Sequence, residues 1–263
     1  MDRIVINPVK EKLARGDVVA SMTVRLTRGI EIARIAATAG FDTIYVDMEH
    51  NTLDIGTTCQ ICIAAMEAGL GPMVRVAENN AALISRVLDG GAMGVIVPHI
   101  RGAADARAAV AAAKFAPEGA RSAGGPLAHY QYRSLPGAAV AAAMNAATMV
   151  VAMMETTEAL AHVEEIAAVP GIDMLLVGTS DLTAEMGIAG QFDDERVEEA
   201  YARTLAACRA VGKAVGVGGL AGRPDLMARY VKMGARYVST GTDLGFLLAA
   251  AGEKVRMVRG MGT

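Results

Sequence analysis

Eight times along the chain a short run of β-branched or apolar residues is followed by a stretch with helical spacing, and this alternation restricts the fold more than any other feature. The strand segments fall at residues 19–24, 43–47, 72–76, 94–98, 149–154, 173–178, 214–218 and 236–240. The helical segments fall at 29–39, 55–68, 81–89, 103–114, 158–168, 194–211, 224–233 and 243–258. Four junctions repeat one solution: AGFDTIYV, GGAMGVIV, PGIDMLLV and MGARYVST each place glycine where a helix ends and then open an apolar strand. Eight βα units in about 250 residues have the size and count of a (β/α)8 TIM barrel, with a doubly wound open sheet as the runner-up. No Pro/Ser-rich linker or shift of composition divides the chain, so residues 1–263 are read as a single domain.

With 53% apolar residues there is ample material for a core, and a net charge of −3 without blocks of like charge argues against nucleic acid or an anionic membrane as partner. The longest apolar stretch, 138–154, holds Asn145 and Thr148 and is shorter than the roughly 20 residues a bilayer needs, so it reads as a helix followed by a strand. Charges at Asp2, Arg3, Lys10, Glu11 and Lys12 interrupt any apolar core of a secretory leader. Three cysteines are too few for a disulfide framework and fit a reducing cytoplasm. Cys59 and Cys62 form a CxxC, but they lie on one helical stripe with Ile55, Ile63 and Met66 and no second pair completes a zinc site, so they read as buried helix cysteines. The long segment 115–136, containing GARSAGG, is expected to be either functional or disordered.

In a barrel of this kind chemistry gathers where the strands end at their carboxyl side. His50 follows the second strand, Arg75 lies in the third, His99 follows the fourth, Glu155 the fifth and Asp181 the sixth. Singly, each has a bland reading as a solvated strand arginine or a helix cap; five converging on one rim make a site. Glu155 and Asp181 are hard oxygen ligands from adjacent strands and suit Mg²⁺ or Mn²⁺. A metal-free carboxylate pair of glycosidase type is the competing reading, against which stand the absence of tryptophan and an aromatic content of 4%. None of the six lysines lies inside a strand segment, so a metal-dependent route is favoured over an imine.

In this order FDTIYVDMEHNTLD, PMVRV, LDGGAMGVIVPHI, METTEAL and VGTSDLTAEMG resemble the HpcH/HpaI family of class II, metal-dependent pyruvate aldolases, from about Val19 to the C-terminal helix. The resemblance implies a phosphoenolpyruvate/pyruvate-type barrel that splits a 4-hydroxy-2-oxo acid, of sugar-acid or dicarboxylate type, into pyruvate and an aldehyde. It implies that Glu155 and Asp181 hold the divalent ion, Mg²⁺ or Mn²⁺ with Co²⁺ also possible. His50 matches the catalytic base, Asp89 the aspartate that pairs with that histidine, and Arg75 the arginine that steadies the enolate. Ser180 stands where the family binds the substrate carboxylate on a backbone N–H. Two departures stand out: Met153 replaces a glutamine common two residues before the metal glutamate, and SMTVRL differs from the apolar, often Trp-containing first strand of well-known members. Arg25 in that segment could read a distal carboxylate.

The same residues would serve oxaloacetate decarboxylation or a citramalyl- or malyl-type lyase, although no Lys/Arg cluster offers a coenzyme A groove. The glycines of GVGGLAG and GTDLG suggest a phosphorylated substrate as a further alternative. A non-catalytic binding protein is the alternative from another class, against which the joint presence of His50, Arg75, Glu155 and Asp181 weighs. The final helix, LGFLLAAAGEKV, is apolar over much of its surface, and family members exchange this helix between subunits; a homo-oligomer follows, a hexamer or trimer of dimers, with the loop around Arg121 completing a neighbour's site.

Overall fold

In the computed structural model, which describes residues 4–261, the eight strands close into a parallel barrel in chain order, β8 pairing back onto β1. They are β1 Val19–Val24, β2 Thr43–Asp47, β3 Met73–Arg75, β4 Gly94–Val97, β5 Met149–Met154, β6 Met174–Gly178, β7 Ala214–Gly218 and β8 Tyr237–Thr242. The closed barrel is the architecture expected from the alternation, and no open edge remains as a doubly wound sheet would require. Because both faces of each strand are covered, the strands read as nearly continuous apolar runs. Side chains alternate between two cores: Val19, Tyr45, Met73, Ile96, Met149, Met174 and Tyr237 fill the lumen, while Ile44, Val74, Val95, Val150, Leu175 and Val217 pack outward against helices.

Among the described residues twelve α-helices accompany them: α1 Pro8–Ala14, α2 Glu31–Ala39, α3 Ile55–Glu67, α4 Ala81–Asp89, α5 Ala103–Ala113, α6 Gly137–Ala147, α7 Thr157–Ala161, α8 Val163–Ala168, α9 Thr179–Glu185, α10 Glu195–Ala210, α11 Pro224–Met233 and α12 Asp243–Gly260. The segment expected as one helix over 158–168 breaks at His162, whose backbone leaves the helical region at φ −106°, ψ 19°. The apolar run 138–154 is indeed a helix followed by a strand, and no helix among the described residues is long and apolar enough to cross a membrane. Cys62 and Cys208 are buried and Cys59 half-buried, all with free thiols.

Two elements have no counterpart in the sequence reading. Helix α1 closes the foot of the barrel, where Val9 joins the lumen cluster. Asn7 caps it, its Oδ1 accepting from the N–H groups of Val9 (3.1 Å) and Lys10 (3.3 Å), while its Nδ2 donates to the carbonyls of Met93 (3.1 Å) and Ala147 (2.8 Å). Helix α9 is the short turn that carries Ser180 and Asp181. Segment 115–136 is neither a loose loop nor disordered: Phe115, Leu127 and Tyr130 are buried against α6, and Tyr130 Oη donates to the carbonyl of Gly125 at 2.9 Å.

Helix α12 lies apart from this packing. Of its 18 residues only Asp243 is buried. Leu247, Leu248 and Val258 are about three-fifths exposed, and Phe246 touches the barrel layer by stacking on Phe41 at 6.1 Å.

Candidate active site

Strand β2 delivers the group that organises the rim. Asp47 is fully buried at its carboxyl end, opposite Arg75 in the β2–β3 register. Its Oδ1 accepts from Arg75 Nε (2.9 Å) and from the N–H groups of Glu49 (3.0 Å) and His50 (3.4 Å). Its Oδ2 accepts from Arg75 Nη2 and Arg25 Nε, each at 2.6 Å. Burial works to raise the Asp47 pKa, but the hydrogen bonds and charges of Arg75 and Arg25 overcome it and hold the carboxyl at about 2. The DMEH turn and the two arginines are therefore one unit.

Arg75 is buried with its plane fixed on three sides. Besides the two bonds to Asp47, its Nη1 lies 2.9 Å from Glu49 Oε2 and 3.9 Å from Met153 Sδ, and its guanidinium stands 5.6 Å from the centre of the Tyr45 ring. Met153 thus presents a soft, weak acceptor to the arginine, and a glutamine amide at this place would have offered both a donor and an acceptor.

Glu155, at the end of β5, is buried, and its Oε1 accepts from the backbone N–H of His99 at 2.7 Å. His99 adopts a left-handed backbone (φ 55°), uncommon for a side chain with a Cβ, and this turns its amide onto that oxygen. The imidazole bridges two carboxylates, with Nδ1 3.2 Å from Glu155 Oε1 and Nε2 2.9 Å from Glu49 Oε1. Burial raises the pKa of Glu155, the His99 amide and ring oppose this, and the charges of Glu49 and Asp181 push it up further. His50 is half-exposed, with Nε2 3.7 Å from Glu49 Oε2.

Asp181 is exposed in the first turn of α9, at the end of β6, and lines the same cavity of about 330 Å³ as Arg25, His50, Arg75, Met153 and Ser180. Two glycines keep this cavity open by close approach. A Cβ on Gly178 would lie 3.1 Å from Glu155 Oε2, and one on Gly219 would lie 2.9 Å from the backbone N of Ser180. The Ser180 amide belongs to the first helical turn and has no call on an intrahelical acceptor.

These residues fit a divalent cation. Asp47, Glu49, Glu155 and Asp181 face two guanidiniums, Arg25 and Arg75, which leaves two negative charges around the imidazoles. Glu155 and Asp181 are hard oxygen donors, and Gly178 leaves room beside Oε2 of Glu155. Among the described residues no cluster of three or more His, Cys, Asp or Glu has metal-binding geometry, so protein groups would supply only part of the coordination shell.

The rim thus brings together His50, Arg75, His99, Glu155, Ser180 and Asp181. Asp89 is not with them. It ends α4 immediately before β4 begins, at the foot of the barrel, because a helix returning to the next strand runs antiparallel to the strands. There it accepts from Arg121 Nη2 at 2.5 Å, so the pairing with His50 expected from the resemblance is not made within one chain. Two rim residues were missed, Asp47 and Glu49. Strand alternation was the available signal, since positions 47 and 49 share a face two residues apart. The lysines stay outside the lumen; Lys114, lowered to about 8 by burial, donates to the carbonyls of Asn145 and Thr148 at 2.6 Å each.

The chain as a whole is similar to known proteins. A 4-hydroxy-4-methyl-2-oxoglutarate aldolase of Chaetomium globosum is 37% identical over 93% of this chain and 92% of its own length. A 2-dehydro-3,6-dideoxy-6-sulfogluconate aldolase of Pseudomonas putida is 34% identical over 84% of this chain and 86% of its own. The crystal structure of an HpcH/HpaI aldolase from Desulfitobacterium hafniense superposes with a TM-score of 0.91 at 28% identity, covering 97% of each chain. The profile described as HpcH/HpaI aldolase/citrate lyase matches residues 27–250, and the chain belongs to that family.

Proposed function

We propose that this carbon–carbon lyase is a class II aldolase that reversibly cleaves a 4-hydroxy-2-oxo acid to pyruvate and an aldehyde, using Mg²⁺ or Mn²⁺. The observation that carries the reading is the clamped, buried guanidinium of Arg75 lining one cavity with Asp181 and with Gly178, beside which Oε2 of the buried Glu155 lies. Glu155 and Asp181 would hold the ion, which when bound supplies Lewis-acid stabilisation of charge at the 2-oxo oxygen. Arg75 remains charged at every working pH, and its fork, held by Asp47 and Glu49, is oriented before substrate arrives.

Cleavage of the C3–C4 bond begins with removal of the C4 hydroxyl proton. His50, half-exposed at the mouth, takes that proton through a water and can return it to C3 of the enolate when pyruvate forms. The backbone N–H of Ser180 binds the 2-oxo acid carboxylate in the space that Gly219 leaves beside it. Asp89 orients the His50 ring from a neighbouring copy, since its own barrel holds it at the opposite end; Arg121 stays its partner there.

The assembly follows from α12, whose exposed leucines and valines need a second copy to cover them. The enzyme is a homo-oligomer, a hexamer or trimer of dimers exchanging this helix, and light scattering that returned a monomeric mass would refute this. Free thiols at Cys59, Cys62 and Cys208 support a reducing, cytoplasmic setting.

Deuterium exchange at the pyruvate methyl, followed by NMR, tests the activity. Exchange should require the divalent ion and disappear in Glu155→Ala. Its absence with every metal would refute the enolate chemistry.

A further inference from the structure

Arg25 stands one residue beyond β1, on the wall of the cavity, and is held more firmly than an exposed arginine needs to be. The Asp243 carboxylate, at the start of α12, accepts from three successive backbone N–H groups: Arg25 at 2.9 Å, Leu26 at 3.1 Å and Thr27 at 2.8 Å. This fixes the backbone from which the side chain leaves. The side chain is fixed in turn by Nε on Asp47 Oδ2 at 2.6 Å. What remains are the two terminal nitrogens, which have no hydrogen-bond partner among the described residues although the side chain is only 35% exposed.

The local charge balance points the same way. Asp47 is shared between two arginines, and Arg75 has Glu49 as its second carboxylate. Arg25 has none, so the excess positive charge on this side of the mouth is its own. The acidic groups Glu155 and Asp181 lie at the ends of β5 and β6, and β6 is three strands round the barrel from β1. Between them the wall is made of small and hydroxylated residues, Thr23, Ala221, Ser239, Gly241 and Thr242, which leave a polar path across the cavity. A ligand whose 2-oxo acid end sits at Ser180 and Asp181 therefore extends toward a preset guanidinium with two free, coplanar donors. That is the geometry that receives a carboxylate in bidentate fashion.

We propose that Arg25 is a specificity-determining residue whose terminal nitrogens bind a carboxylate at the far end of the substrate, so that the preferred 4-hydroxy-2-oxo acid is a dicarboxylate and the released aldehyde is itself an anionic acid. The inference rests on the aldolase reading for the placement of the 2-oxo end. Asp47 gives Arg25 a fixed azimuth, and the shared carboxylate couples occupation of the distal site to the orientation of Arg75.

The test compares two ligands of equal chain length, 2-oxoglutarate and 2-oxopentanoate, by calorimetric titration of the Mg²⁺-loaded full-length protein, its Arg25→Met and Arg25→Lys variants. Wild type should bind the dicarboxylate at least about tenfold more tightly, the worth of one charge-assisted contact. Arg25→Met should bring the ratio of affinities close to one, and Arg25→Lys should keep part of it, since it retains the charge and loses the fork. A wild-type ratio near one, or the same ratio in wild type and Arg25→Met, overturns the assignment. Pyruvate methyl exchange in the same wild-type preparation separates the two readings. An Arg25-dependent ratio without exchange defeats the aldolase chemistry and leaves the distal carboxylate site standing; exchange with an unchanged ratio defeats the Arg25 assignment alone.

Discussion

Both ends of the barrel bury polar side chains, but they treat them differently. At the foot, Asn7 meets four backbone partners, and Asp42 and Asp173 accept from the N–H groups of Ala20 and Val150 and pair with Lys12 and Lys10. Each carboxylate there has its own cation. At the carboxyl-end rim, Asp47 is shared by two arginines, Glu49 by Arg75 and His99, and Glu155 lies between an imidazole and two further carboxylates. The foot satisfies Asn7, Asp42 and Asp173 within the fold, which adds stability, while Nε and Nη1 of the buried Arg121 beside Asp89 have no hydrogen-bond partner among the described residues; the rim gathers unmatched charge around a cavity, which is what a binding site needs.

Substitutions at the two ends should therefore separate activity from stability. The largest effect is expected at the rim: Glu155→Ala should lower kcat/KM by about 10³-fold or more through lost ion binding, with a circular dichroism melt near that of wild type. Arg75→Lys comes next, with kcat down by about 10²-fold, because lysine keeps the charge but cannot span Asp47 and an enolate oxygen together. At the foot, Asn7→Ala should cost about 2 kcal/mol in urea unfolding, from the lost cap and two carbonyls left without their donor, while kcat/KM of the folded enzyme stays within about twofold. Loss of activity on that scale at the foot, or of stability alone at the rim, would break the contrast.

The acid limb sharpens it and is the smallest effect near neutrality. The folded pKa of Asp47, about 2, lies below its unfolded value of about 3.9, so the unfolded chain binds the proton first. The contribution is complete above pH 4 and is lost as the pH falls toward 2. Urea midpoints measured between pH 5 and 2 should drop across that window, and a flat profile would show that the Asp47–Arg75 unit does not stabilise the fold.

Much of this was readable in the chain. Strand positions were legible because an all-parallel barrel buries both faces, so each strand is an apolar run bounded by glycine; β2, β5 and β7 fall where the pattern put them. Helix α1 was not legible: seven residues with two charged lysines and one glutamate look solvated, and only the foot of a closed barrel gives Val9 something to fill. Glu49 was passed over as one more charge in DMEH, since its contacts with Arg75 and His99 join three different strand ends. Asp89 shows the limit of motif transfer, because a motif carries no information on which end of a barrel a helix terminus reaches or which copy it serves.

The sequence by itself determined the alternation of eight strands and helices, the rim positions of His50, Arg75, Glu155 and Asp181, and the absence of any lysine from the lumen. Those are local properties: periodicity, glycine at helix ends and the residue that ends each strand are written within a few positions of one another. Only the tertiary structure decided that Asp47 ties two arginines together, that His99 lies between two carboxylates, that Asp89 faces Arg121 and that Arg25 lines the cavity with its Nε already on Asp47. Each of these depends on the distance between groups far apart in the chain, and that distance is set by barrel closure and register.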